Sequence, residues 1–127
     1  MRDYKKIRAW EAADKLVLKI YEVTKRFPKE EMYGLTSQMR RAVISIPANI
    51  AEGSGRASQK EYLQYLYIAR ASARETEYYI SLSYKLEYIG DLVYRELSKL
   101  SDDVLSILFG LIQAVSNQNY KSAVSSR

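Results

Sequence analysis

The chain has no cysteine and no histidine. Without cysteine there is no disulfide framework, no thiolate nucleophile and no zinc-ribbon spacing. Without histidine, the commonest general base and the commonest metal ligand are both missing. No apolar run approaches the roughly 20 residues that a membrane span needs. The N-terminal stretch MRDYKKIRAW is charged where a secretory signal would carry its apolar segment. These absences lead to the expectation of a cytoplasmic protein with no membrane partner, no metal, no cofactor, no small-molecule substrate and no enzymatic activity.

Proline and glycine are scarce as well. Pro28 and Pro47 are the only prolines and there are five glycines, so good helix formers run almost uninterrupted. A chain of 127 residues is one domain's worth and can bury a core without staples. We assign residues 1–120 to that domain and 121–127 to a disordered tail. The formal charge of +5 is uneven: residues 1–60 hold 13 Lys/Arg against 7 Asp/Glu, residues 61–127 hold 7 against 8. The excess permits attraction to polyanions, or serves solubility alone.

Helical periodicity sets out four segments. From Ile7 to about Arg26, Trp10, Ala13, Val17, Ile20, Tyr21 and Thr24 recur at three-and-four spacing, and Pro28 should end the helix. A second pattern runs from about Leu35 to Glu52, with Pro47 inside it predicting a kink or break near Ile46. Ser58 and Glu61 form a capping box opening a third helix, which Gly90 should close, and Asp91 is the expected N-cap of the fourth. That last helix should run to about Gln118, with Val93, Leu97, Leu100, Val104, Ile107, Leu111 and Val115 at heptad spacing. Short connections favour an all-α, antiparallel up-and-down four-helix bundle. The third helix carries two apolar arcs, one of Tyr62, Leu66, Ala69, Ala73, Ile80 and Tyr84, the other of Tyr65, Ile68, Tyr79, Leu82 and Leu86. A lone bundle buries one such arc, so the second suggests a subunit interface, against the alternative of a deeply buried central helix.

Two polar stripes compete as candidate sites. On the second helix Gln38, Arg41, Ser45, Asn49 and Glu52 fall within an arc of about 80°. They could hold a phosphate or carboxylate, but the expected reading is a structural polar network with Arg41 paired to Glu52 or to Glu75. Ser45 lacks a base to activate its hydroxyl, and Glu75 and Glu77, two apart, diverge on a helix. On the third helix Lys60, Tyr67, Arg70, Arg74, Tyr78, Lys85 and Tyr88 share an arc with no acidic residue. Basic side chains interleaved with tyrosines can track phosphates and stack on unpaired bases, or form a solvated face. Arg40 and Arg56 at the junction of the second and third helices complete the candidate nucleic-acid set.

The segment Tyr33-Gly34-Leu35-Thr36-Ser37-Gln38-Met39-Arg40-Arg41-Ala42, continuing through Ser45-Ile46-Pro47-Ala48-Asn49-Ile50-Ala51-Glu52-Gly53 to Arg56, resembles the four-helix-bundle family of 23S rRNA-intervening sequence proteins. The likeness extends to Trp10, Ala13, Ile20-Tyr21, Thr24 and Phe27-Pro28 upstream and to Ala69, Ser72 and Glu75 downstream. It implies a small bacterial cytoplasmic protein that forms a ring-shaped homopentamer and has no established catalysis. A related branch, the accessory proteins of diversity-generating retroelements, binds nucleic acid and a reverse transcriptase. The resulting expectation is an oligomeric bundle that offers basic surfaces to RNA or DNA as an accessory to a ribonucleoprotein. The alternative is a protein-interaction scaffold.

Overall fold

A computed structural model of the chain describes residues 2–125, with side chains described through Gln118. It is all-helical: α1 (Arg8–Thr24), α2 (Leu35–Ser54), α3 (Gln59–Lys85) and α4 (Asp91–Ser125), with short 3-10 helices at Tyr4–Lys6 and Lys29–Glu31 and no strand among the described residues. Each long helix packs on two others: α1 and α3 both lie against α2 and α4. The core runs down the middle, where Leu16, Ile20, Met39, Val43, Ile46, Ile50, Leu66, Ile80, Leu97, Val104 and Leu108 are fully buried. Burial of one such side chain contributes about 1.5–3 kcal/mol, which is what holds four amphipathic helices together.

Local chemistry explains most of the boundaries. Chain direction changes after Thr24, ahead of Pro28, as the sequence predicts. Glu31, in the turn that follows, caps α2: its Oε1 accepts the Leu35 N–H at 3.1 Å and its Oε2 accepts the Tyr88 hydroxyl at 2.7 Å. The Leu35 hydrogen bond first, and the tyrosine second, hold the Glu31 carboxyl below its usual value of 4.5. Ser58 opens α3 as expected, its hydroxyl accepting the Glu61 N–H at 3.1 Å.

Several expectations are corrected. Of the kink or break expected at Pro47, the break is overturned, since α2 continues through Ser54. Pro47 is buried between well-packed neighbours, and packing holds the helix where local propensity would interrupt it. The end of α3 comes five residues before Gly90. Leu86 is the C-cap, Glu87 takes a left-handed conformation at φ 63°, and Tyr88 and Glu87 N–H groups donate to the Ser83 and Tyr84 carbonyls. This is a Schellman closure with glutamate at the position usually given to glycine. Gly90 instead precedes α4, its carbonyl accepting the Tyr94 N–H, so Asp91 is the first helical residue and not the N-cap.

The buried faces are also rotated from those predicted. On α1 the core residues are Ala9, Ala13, Leu16, Ile20 and Thr24, with Trp10, Val17 and Tyr21 half-buried on the flank. On α4 the innermost line is Leu97, Ser101, Val104, Leu108, Ile112 and Val115. The α4 helix passes the expected end at Gln118, and the tail expected at 121–127 lies outside the residues whose side chains are described.

The α2–α3 contact is close. A methyl group on Gly53, inside the last turn of α2, would lie 2.7 Å from the Tyr65 Cβ and 3.0 Å from the Tyr62 Cδ1. Here a glycine read as a helix stop serves the close approach of two helices.

Candidate nucleic-acid interface

The polar stripe of α2 lies along its seam with α3 and divides into three groups. Arg41 donates to the Glu75 carboxylate at 2.8 Å and to Gln38 at 2.9 Å, and Tyr79 donates to the same Glu75 oxygen at 2.8 Å. That bond, more than burial, raises the Tyr79 phenol above its usual value. One turn on, Ser72 donates to the Ser45 hydroxyl at 2.8 Å, and Asn49 donates to the same oxygen and to the Ser45 carbonyl. Glu52 belongs to the third group, pairing with Arg56, which also meets the Tyr65 hydroxyl and lies over the Tyr65 ring at 4.8 Å.

Glu75 is therefore the partner of Arg41, and Glu52 is not. The pair is not a buried one: its side chains are 59% and 36% exposed. Each member of the stripe is hydrogen-bonded to a neighbour on α2, in the turn after it or on α3, as the expected structural polar network requires.

The two arginines assigned to the α2–α3 junction are engaged as well, and Arg40 is not at that junction but near the start of α2. Arg40 clasps α1, donating to the Thr24 hydroxyl at 2.8 Å with its guanidinium over the Tyr21 ring at 4.6 Å. At the far end of α2, Arg2 donates to the Ser54 carbonyl at 3.1 Å and to Gln59 at 2.8 Å, and lies over the Tyr62 ring. Sequence reasoning passed over Arg2, since nothing local ties it to a helix end 52 residues further along the chain.

The α3 stripe is different in character. Lys60, Tyr67, Arg70, Arg74, Tyr78 and Lys85 are all exposed, and Arg70 rests over the Tyr67 ring at 5.0 Å. Lys60, Arg70 and Lys85 have no ion-pair partner among the described residues, while Arg74 meets Glu77 at 3.1 Å. Tyr88 leaves the set. It lies beyond the helix end, packed on Phe27 and bonded to Glu31.

Beside the stripe a groove of about 510 Å3 opens between α3 and α4. Arg74, Glu77, Tyr78, Ile80 and Ser81 line one side, Tyr94, Ser98, Ser101 and Asp102 the other. Tyr94 stacks on Tyr84 at 4.2 Å, and Tyr84 donates to Asp91, a bond that raises its phenol pKa. The groove's serines went unread in the sequence, because Ser101 falls between the heptad positions chosen for α4. Its signal was a hydroxyl one helical turn from Leu97 in an otherwise apolar line. Among the described residues no cluster of carboxylates is placed to hold a metal ion.

A family model for the 23S rRNA-intervening sequence protein matches residues 5–110. The chain belongs to that family. A member of the same bundle type is a protein of unknown function from the S23 ribosomal protein family of Bacteroides thetaiotaomicron, 26% identical, with a TM-score of 0.76 over 82% of this chain and 97% of that one. Among curated proteins there is no match. In this 23S rRNA-intervening sequence family protein, the family segment Tyr33–Arg56 supplies the tight α2–α3 seam, whereas the exposed basic stripe and the groove lie on the opposite flank of α3. No helix among the described residues is long and apolar enough to cross a membrane.

Proposed function

We propose that this protein is a non-enzymatic, cytoplasmic bundle that binds RNA or DNA through the exposed α3 face. The observation that carries the reading is the stripe of Lys60, Tyr67, Arg70, Arg74, Tyr78 and Lys85, open to solvent on one flank of one helix. Lysine and arginine offer contacts to phosphates, and the tyrosine rings offer faces to unpaired bases. Such a surface tracks a backbone and is sequence-tolerant.

The helices are arranged up-and-down with antiparallel neighbours. Supporting this, partners across the α2–α3 seam step in opposite directions, from Arg41 with Glu75 through Ser45 with Ser72 to Arg56 with Tyr65. The chain assembles as a ring, of five subunits by family resemblance. The second apolar arc of α3 supports assembly: Ile68 is 49% and Leu86 45% exposed in the single chain, with Tyr65, Tyr79 and Leu82 half-buried beside them. Light scattering tests the ring, and a monomer at micromolar concentration overturns it.

Binding is tested by titrating a labelled single strand and a duplex at two salt concentrations. Arg70→Glu with Arg74→Glu should weaken binding to every sequence and leave helicity intact. The slope of log K against log salt should fall by about 1.4 on a single strand if both side chains meet phosphates. Absence of wild-type binding at low salt refutes the reading. A second reading, a protein-interaction scaffold, is favoured by the apolar hollow that Trp10, Val17, Ile44, Pro47 and Ala51 line between α1 and α2. Purification without nuclease, with identification of any co-purifying nucleic acid, separates the two.

A further inference from the structure

Two flanks of the bundle expose apolar side chains. One is the hollow between α1 and α2, about 370 Å3, walled by Trp10 and Val17 of α1 and by Ile44, Pro47, Ala48 and Ala51 of α2. Ile44 is 41% exposed there. The other is the outer edge of the α2–α3 seam. Tyr65 and Ser72 of α3 are bonded across that seam to Arg56 and Ser45. Ile68 follows the first by three residues and precedes the second by four, so it stands on the same side of the helix. It is 49% exposed, and Ala71, one turn on, is exposed as well.

The two features stand at one level along the bundle. Ser45 meets Ser72, and Gly53 lies against Tyr62 and Tyr65, so Ile68 comes opposite Asn49. The hollow spans Ile44 to Ala51 of the same helix, with Asn49 inside that span. The features also lie on adjoining flanks, since α2 packs on α1 at one side and on α3 at the other. Adjoining flanks of a four-cornered bundle face about 90° apart.

We propose that Ile68 and Ala71 of one copy seat in the α1–α2 hollow of the next, a proposal that rests on the assembly reading above and names the surfaces that meet. Contact between two unlike patches is head-to-tail, and it forms a ring only if the rotation it imposes closes. Patches on opposite flanks would build a straight filament, and one patch meeting itself a two-fold dimer. A right angle between the patches turns each copy by about 90° around an axis along the helices, and equal levels leave no climb along that axis. The repeat therefore closes at about four or five copies. This match of level and direction is what favours a second copy over another apolar partner. It also orients the ring, with α2 toward the axis and the basic stripe and groove of α3 on the outer wall, open to a strand.

The test breaks each surface separately, with Ile68→Glu on the ridge and Ile44→Glu in the hollow. Both side chains are exposed in the single chain, so each variant should keep wild-type helicity by circular dichroism, and Ala71→Glu repeats the ridge test at a second exposed position. Light scattering over a dilution series should give a closed ring for the wild type. For each variant the concentration of half-assembly should rise at least about tenfold. Mixing Ile68→Glu with Ile44→Glu is the decisive arm. The first keeps an intact hollow and the second an intact ridge, so the mixture should form a complex of two copies and grow no further. A mixture that forms no complex, or that rebuilds the ring, overturns the head-to-tail pairing. A wild-type ring that the substitutions leave unchanged overturns the proposal while the assembly reading stands, and frees the hollow for a different protein. A wild-type monomer at micromolar concentration, or a two-fold dimer, overturns both.

Discussion

Replacing Gly53 by alanine should destabilise the bundle, although alanine is the better helix former. Helix propensity alone favours Gly53→Ala by about 1 kcal/mol. Against that stands the contact at 2.7 Å with the Tyr65 Cβ and at 3.0 Å with the Tyr62 Cδ1. The Tyr65 Cβ is bonded directly to the α3 backbone, so no rotamer change relieves the contact and α3 itself must move away from α2. Overpacking of this kind costs up to about 3 kcal/mol. The net expectation is a loss of about 2 kcal/mol.

Gly110→Ala is the matched control, inside α4 with nothing within 4 Å of its added methyl, and should gain about 1 kcal/mol. Urea unfolding followed by circular dichroism, at one fixed protein concentration so that assembly does not shift the midpoint, measures both. The two variants should differ by about 3 kcal/mol. Equal stabilisation by both would refute the close α2–α3 approach, and with it the seam that sets the orientation of the α3 face.

Arg41→Ala should cost less than about 1 kcal/mol, because the pair with Glu75 is exposed, and a double-mutant cycle with Glu75→Gln checks it. A loss of about 3 kcal/mol in that cycle would mean that the pair is covered by another subunit. Glu87→Gly should stabilise by about 1 kcal/mol in thermal or urea unfolding, since glutamate occupies a left-handed position there, and an unchanged midpoint would contradict that backbone conformation. Glu31 has a folded pKa below its usual 4.5, so its contribution is present above that value and is lost as the pH falls through the lower folded one. Glu31→Gln keeps the cap on Leu35 and should flatten the acid side of a melting-temperature profile, and an unaltered profile would remove Glu31 from the acid response.

Four helices, the stop at Pro28 and the cap at Ser58 were legible because each depends on chemistry within a few residues. The end of α3 was not, because Gly90 advertised a left-handed cap that Glu87 supplies. The sequence offered Arg41 either Glu52 or Glu75 as a partner, and only the packing of α2 on α3 chooses Glu75; the exposure of the pair is likewise set by what surrounds it, and no spacing in the chain encodes it. The basic face of α3 was readable as a face. The groove was not, since it needs Ser81 from one helix and Ser98 and Ser101 from another. Gly53 shows the same limit, where a turn residue by composition is a contact residue by position.

Trp10 is the one tryptophan in the chain. It sits half-buried, edge-on to Tyr4 at 5.2 Å, in the hollow floored by Pro47. The protein thus carries its own optical probe on the α1–α2 flank, away from the α3 stripe. A protein partner or a second copy seated in that hollow would dehydrate the indole and move its emission to shorter wavelength. A strand bound on the α3–α4 side would leave the spectrum where it was. Emission from the unlabelled wild-type protein therefore reports which flank of the bundle is engaged, with no substitution needed.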